Sequence, residues 1–142
     1  MSGAMLYMLK LSNEEMQAMA LFSRVSGVAP NDVVFLDESV VFLVPPESVG
    51  RAVGRGGANV RHLSEKFGKR VNVYAVSEDA EKFVEGLIAP VELTGFEVND
   101  GVAVMCVPPN DKGRAIGRGG EKINRARALV KRRFGFKDLK IT

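Results

Sequence analysis

Val-Pro-Pro at 44–46 leads into Gly50-Arg51-Ala52-Val53-Gly54-Arg55-Gly56-Gly57, and Val-Pro-Pro at 107–109 leads into Gly113-Arg114-Ala115-Ile116-Gly117-Arg118-Gly119-Gly120. The offset between the two segments is a constant 63 residues, with Ile116 in the place of Val53. Of all its features, this duplication most restricts what the chain can fold into. It replaces the one-domain expectation for 142 residues with two modules, 1–76 and 77–142. A module of that size buries only about 60% of the surface its unfolded chain exposes, so the copies are expected to pack together. No Gly/Ser/Pro-rich stretch separates them at 76–77, so their relative orientation is expected to be nearly fixed.

Both copies predict the same succession of elements. Ser12-Asn13-Glu14-Glu15 is a capping box, from which a helix should run to about Gly27 with Met16, Met19, Ala20 and Phe22 or Ser23 inward. Val33–Leu36 and Val40–Val44 predict a hairpin around Asp37-Glu38-Ser39, closed by the two prolines. A short helix over Glu47–Val53 precedes the glycine loop. Val60, Leu63 and Phe67 then recur at helical spacing, and Val71, Val73 and Ala75 alternate as a strand. In the second copy, Ser77 is expected to cap a helix with Glu78, Asp79 and Glu81 in its first turn. Val91–Val98 and Val102–Val107 flank the turn Asn99-Asp100-Gly101. A short helix, the loop, a helix with Ile123, Ala126, Val130 and Phe134 inward, and a strand at Leu139–Thr142 follow.

The net charge of +3 says less than its distribution. Residues 51–70 carry Arg51, Arg55, Arg61, Lys66, Lys69 and Arg70 against Glu65 alone. Residues 114–133 carry Arg114, Arg118, Lys122, Arg125, Arg127, Lys131, Arg132 and Arg133 against Glu121 alone. Positive charge gathered around both loops points to a polyanionic partner, although the residues from Arg125 to Arg133 can also be read as a solvated helix face. The single cysteine, Cys106, excludes an intramolecular disulfide, lies in an apolar run expected to be core, and fits a reducing compartment. The run Met5–Leu11 is too short to span a bilayer and lacks the flanks of a signal peptide, so a cytoplasmic protein without a membrane partner is expected. His62, the only histidine, falls beside the apolar stripe and cannot build a metal site with one cysteine. Neither a metal nor a cofactor is expected. The carboxylates form no paired pattern that suggests catalysis, so the chain reads as non-enzymatic.

A Gly-X-X-Gly turn between two helices offers backbone N–H groups at the start of the second, where the helix dipole attracts anions. Gly56 and Gly57 lack a Cβ and let a sugar-phosphate chain come close, while Arg55 and Arg118 supply charge at the tips. Nucleotide-fold alternatives fail on spacing. There is no Gly-X-X-X-X-Gly-Lys-Ser/Thr, the third glycine of a dinucleotide fingerprint is missing after both loops, and both loops follow helices rather than strands.

The order αββααβ with this loop between the central helices resembles an α+β type II KH domain, twice. Val53-Gly54-Arg55-Gly56-Gly57-Ala58-Asn59-Val60-Arg61-His62-Leu63-Ser64 with Gly68-Lys69-Arg70-Val71-Asn72-Val73 is similar to KH modules of NusA transcription factors. From about Leu9 onward the chain resembles the short archaeal NusA-like family. Those proteins consist of two KH domains without the polymerase-binding and S1 domains of bacterial relatives. The resemblance implies a transcription termination or antitermination factor that binds single-stranded RNA, with RNA polymerase as a further partner. It places backbone clamps at Gly54, Gly56, Gly57, Gly117, Gly119 and Gly120, with Arg55 and Arg118 at the tips. Arg51, Arg61, Arg114, Lys122 and Arg125 are the flanking phosphate contacts it implies. Val53, Val60, Ile116 and Ile123 serve as groove floor or as core. Aromatics are scarce near the loops, so bases would be held by apolar packing and hydrogen bonds. A ribosome-associated or RNA-processing role and a protein-interaction scaffold are the alternatives. With its more basic following helix, the second loop is expected to hold RNA harder.

Overall fold

The computed structural model describes residues 12–142, so the run Met5–Leu11 lies outside the described residues. The chain divides into two compact units, Met1–Val76 and Ser77–Thr142.

In the first unit, helix α1 spans Asn13–Ser26 and begins with the expected capping box: the Ser12 hydroxyl accepts from Glu15 N and the Glu15 carboxylate accepts from Ser12 N. Its inward stripe is Ala18, Phe22 and Ser26, spaced at i, i+4 and i+8, whereas Met16 and Ala20 are exposed. Each of those two stands two residues, about 200° of helix, from Ala18, which turns it to solvent. Ser26 joins the buried face because its hydroxyl donates to the Phe22 carbonyl at 2.7 Å and accepts from Val28 N at 3.1 Å.

Strands β1 (Asp32–Phe35) and β2 (Ser39–Val44) form the hairpin. Pro45-Pro46 ends β2. The segment expected as one short helix resolves into a 3-10 turn, Pro46–Ser48, and helix α2, Val49–Val53. Proline opens such a turn well because its missing N–H would have no partner there. After the loop, helix α3 covers Ala58–Phe67, and strand β3 (Arg70–Ala75) lies parallel to β2 with Val40 opposite Val71. The sheet order is β1-β2-β3. Val33, Val40, Phe42, Val44 and Val71 pack with Phe22, Ala52 and Leu63 in one core. The Phe22 and Phe42 rings stack with centroids 4.3 Å apart. That core pins α1, α2 and α3 to one face of the sheet.

The second unit repeats this order with helix α4 (Ala80–Ile88), β4 (Gly95–Asn99), β5 (Val102–Cys106), a 3-10 turn (Pro109–Asp111), α5 (Lys112–Ile116), α6 (Glu121–Phe134) and β6 (Asp138–Ile141). Strands β4 and β5 are antiparallel, and β6 is parallel to β5. Individual hydrogen bonds repeat with the sequence offset. Asn31 N to Leu43 O (2.7 Å) returns as Thr94 N to Cys106 O (2.8 Å), and Ser48 N to Pro45 O returns as Asp111 N to Pro108 O, both at 2.9 Å.

The structure revises three expectations in this unit. Asp79, not Ser77, caps α4, its carboxylate accepting from Glu81 N and Lys82 N, while the Ser77 hydroxyl accepts from Asp79 N one turn earlier. Strand β4 starts at Gly95 rather than Val91, because residues before it are tied back to α4: Glu85 accepts from Leu93 N and Ile88 O from Val91 N. Cys106 is half-buried near the strand end and accepts from the Thr142 hydroxyl, so it is not core.

Replacing Asp79 with Ala removes two capping bonds and is expected to cost about 1 kcal/mol, and Ser77→Ala less. Urea denaturation followed by circular dichroism compares the two, and a larger loss for Ser77→Ala contradicts the capping assignment.

Candidate nucleic-acid interface

Helix α2 stops at Val53 because Gly54 takes φ 82°, ψ 164°, a region open essentially to glycine alone. A 3-10 turn, Arg55–Gly57, follows, with Gly56 (φ 61°, ψ 21°) and Gly57 (φ 76°, ψ 18°) left-handed, and α3 begins at once. Gly54 also has no room for a side chain. A Cβ there would stand 2.8 Å from the Asn59 side chain and 3.0 Å from its backbone nitrogen. At Gly117 a Cβ would stand 2.8 Å from Lys122 Cβ and 2.9 Å from its nitrogen. The first glycine of each motif is therefore a packing requirement, set by how closely the next helix folds back. Gly56 and Gly119 have open space where a Cβ would be, which leaves the tip of each loop accessible.

The second loop has the same conformation: Gly117 at φ 79°, ψ 170°, Gly119 at φ 63°, ψ 19°, and Gly120 at φ 77°, ψ 11°. Each is closed by the same bond, Gly57 N to Gly54 O at 3.0 Å and Gly120 N to Gly117 O at 3.1 Å. Each loop ends at the N-terminus of a helix, of 10 residues in α3 and 14 in α6, where the first-turn N–H groups and the dipole favour an anion.

The cations predicted from sequence divide into two groups. Arg55 and Arg118 are exposed at the loop tips and make no hydrogen bond or ion pair with another described residue. The others are engaged. Arg51 donates to the Gly27 carbonyl and Arg61 to the Gly56 carbonyl at 2.9 Å, clasping the first loop. Arg114 pairs with Asp111, and Lys122 reaches the Ala89 carbonyl at 3.4 Å. Arg125 pairs with Glu121 at 3.4 Å, and its side chain is only 10% exposed.

The helix after the second loop is not simply a solvated face. Arg127 bonds the Leu139 carbonyl and Asn124 and pairs with Asp138, and the Arg133 Nε is buried. Val53, Val60 and Ile116 are half-buried, while Ile123 is buried. His62 is exposed. Among the described residues no group of His, Cys, Asp and Glu could hold a metal, and no helix is long and apolar enough to cross a membrane. Sequence reasoning missed Asn59, whose amide donates to the Arg51 carbonyl at 3.2 Å and ties α2 to α3 across the loop. An amide two residues past a glycine loop carries no pattern that would have singled it out.

Residues 39–94 match the family model of the KH domain, a span that runs from the start of β2 to just before β4. The chain is 34% identical over 137 residues to the "Probable transcription termination protein NusA" of Methanococcus vannielii, covering 94% of this chain and 79% of that protein. It is 32% identical over 134 residues to the protein of the same name from Halococcus morrhuae, covering 92% and 96%. Among solved structures it is similar to the crystal structure of APE1850, with a TM-score of 0.86, 31% identity and coverage of 93% of this chain and all of the other. The chain belongs to the archaeal NusA-like family of KH proteins.

The close approach at Gly54 predicts a sharp local contrast. Gly54→Ala forces both a disfavoured φ and a clash with Asn59, and is expected to destabilise the first unit by more than about 1–3 kcal/mol. Gly50→Ala, in α2 with open space around it, is expected to be neutral or to stabilise by about 0.4–1 kcal/mol. Equal chemical-denaturation midpoints for the two variants contradict the packing role of Gly54.

Proposed function

We propose that this protein is a non-enzymatic, single-stranded RNA-binding factor in transcription termination or antitermination. On this reading residues 1–76 and 77–142 are type II KH domains that grip the RNA backbone with Gly54–Gly57 and Gly117–Gly120. The observation that carries it is the twice-built loop: the same glycine conformations, an open tip, a helix N-terminus, and an arginine free of described protein partners. An anion is the ligand such a loop suits, and a chain of phosphates fits two of them.

A KH loop clamps about four nucleotides, so two engaged loops take about eight. Bases would sit on the apolar residues beside the loops, Val53 and Val60 in one unit and Ile116 in the other. Between β3 and α4 only residues 76–79 intervene. Val76 N is bonded to Val44 O and Asp79 N to the Ser77 hydroxyl. The relatives' names, transcription termination proteins, support the transcriptional role; RNA polymerase as the protein partner and the cytoplasm as the compartment belong to the same proposal.

Two measurements test the clamp. Titration of mixed-sequence single-stranded RNA across a salt series is expected to show log K falling with log salt by about 0.7 per phosphate neutralised. Changing Arg55, Gly56, Arg118 and Gly119 together to Asp is expected to abolish binding. Unchanged affinity in that variant, folded by circular dichroism, rejects the mechanism. Capture of ribosomal particles in place of RNA polymerase by the tagged protein rejects the transcriptional role alone.

A further inference from the structure

The two loops share a backbone but not an electrostatic setting. Corresponding glycine dihedrals differ by no more than 7°, so any difference in anion affinity must come from side chains. Directly after the first loop stands Ala58; after the second stands Glu121, in the first turn of α6. It brings a negative charge to the first turn, paired with Arg125 one turn further on, and so offsets the positive field that the helix terminus offers an anion. Three residues further on, the first unit has Arg61, whose guanidinium lies on the loop's own Gly56 carbonyl. The second has Asn124, which is neutral and accepts from Arg127.

The remaining cations follow the same division. Arg51 and Arg61 are held by neutral carbonyls and keep their full charge. Arg114 and Arg125 are each neutralised by a carboxylate. Lys122 lies on the neutral Ala89 carbonyl. Glu47, the acid of the corresponding stretch in the first unit, precedes Gly54 by seven residues, about 10 Å along a helix. The basic run Lys131, Arg132 and Arg133, which made the second loop look stronger in sequence, begins ten residues beyond Glu121. It therefore lies about 15–18 Å along α6 from the loop, beyond a Debye length of about 8 Å.

Resting on the RNA-clamp reading above, we infer that the Gly54–Gly57 loop is the principal phosphate clamp and that Glu121 weakens the Gly117–Gly120 loop. This reverses the order expected from sequence. Glu121 is thus an affinity-setting residue of the second loop, tuning it to release the backbone while the first holds.

The test uses full-length protein and fluorescence anisotropy with a short mixed-sequence single-stranded RNA. Arg55→Asp with Gly56→Asp is expected to weaken binding about tenfold or more, and Arg118→Asp with Gly119→Asp about threefold or less. Arg55→Glu and Arg118→Glu alone repeat the comparison without altering a positive-φ glycine. In the Arg55→Asp, Gly56→Asp background, Glu121→Ala is expected to tighten binding by about two- to fivefold. Glu121→Gln, which keeps the side chain's shape and its capacity to accept from Arg125, is expected to tighten it as well. An equal or greater loss from the second-loop variants overturns the hierarchy and leaves the RNA clamp standing. Unchanged affinity on removing the Glu121 charge overturns its assigned role. Full affinity in all loop variants, singly and combined, sinks the clamp itself and this inference with it.

Discussion

The arrangement of each unit depends on a contact that only the absence of a side chain allows. At Gly54 the backbone of one helix ends against the start of the next, close enough that a methyl group would meet Asn59 at 2.8 Å. Gly117 repeats the contact with Lys122. If the two helices stood further apart, the loop would splay. Its N–H groups would then no longer converge at the helix terminus, and Ala52 and Leu63 could not both reach the core beneath. The glycines nearest the tip serve a separate need, a left-handed backbone with nothing above it. Packing and access are thus divided among glycines that look alike in sequence.

Much of this was legible in the sequence because several independent signals agreed. Val-Pro-Pro marked the end of a strand, the glycines marked a turn, and Leu63 and Ile123 marked buried helix faces that the structure keeps at most 4% exposed. The turn at Asn99-Asp100-Gly101 was equally plain, and Asp100 (φ 52°) and Gly101 (φ 80°) adopt the positive φ that tight hairpins demand. The misreadings share a cause, namely that side-chain hydrogen bonds can override hydrophobic pattern. Ser26 is buried because two backbone groups satisfy its hydroxyl, so a stripe drawn through apolar residues alone shifted toward Met16. Asp79 displaced Ser77 as a cap because a single carboxylate oxygen, Oδ1, on a longer arm accepts from two amides. The fate of the arginines was least legible, since charge in a sequence does not reveal which cations are already paired.

That last point separates the two halves of the repeat. Duplication preserved the backbone to within a few degrees while the side chains around it diverged. The first loop has Arg51 and Arg61 on neutral carbonyls; the second has carboxylates beside Arg114 and Arg125. A summed charge treats these settings as alike, but an anion approaching the two loops meets different fields.

The parallel pairing of the outer strands has a consequence for the order of folding. In each unit the loop lies inside the crossover joining β2 to β3 or β5 to β6, with Ser39 opposite Arg70 and Val102 opposite Asp138. These paired residues are 31 and 36 positions apart in the chain. Closing such a span costs conformational entropy before any contact repays it, and the difference in length changes that cost by only about 0.1 kcal/mol. Neither unit has a topological head start in folding. In both, the two helices flanking the loop lie within the segment whose ends the parallel pairing ties together. The strand register that fixes each sheet therefore also fixes the span across which its glycine loop is held, and a change of register would move the loop without altering a residue of it.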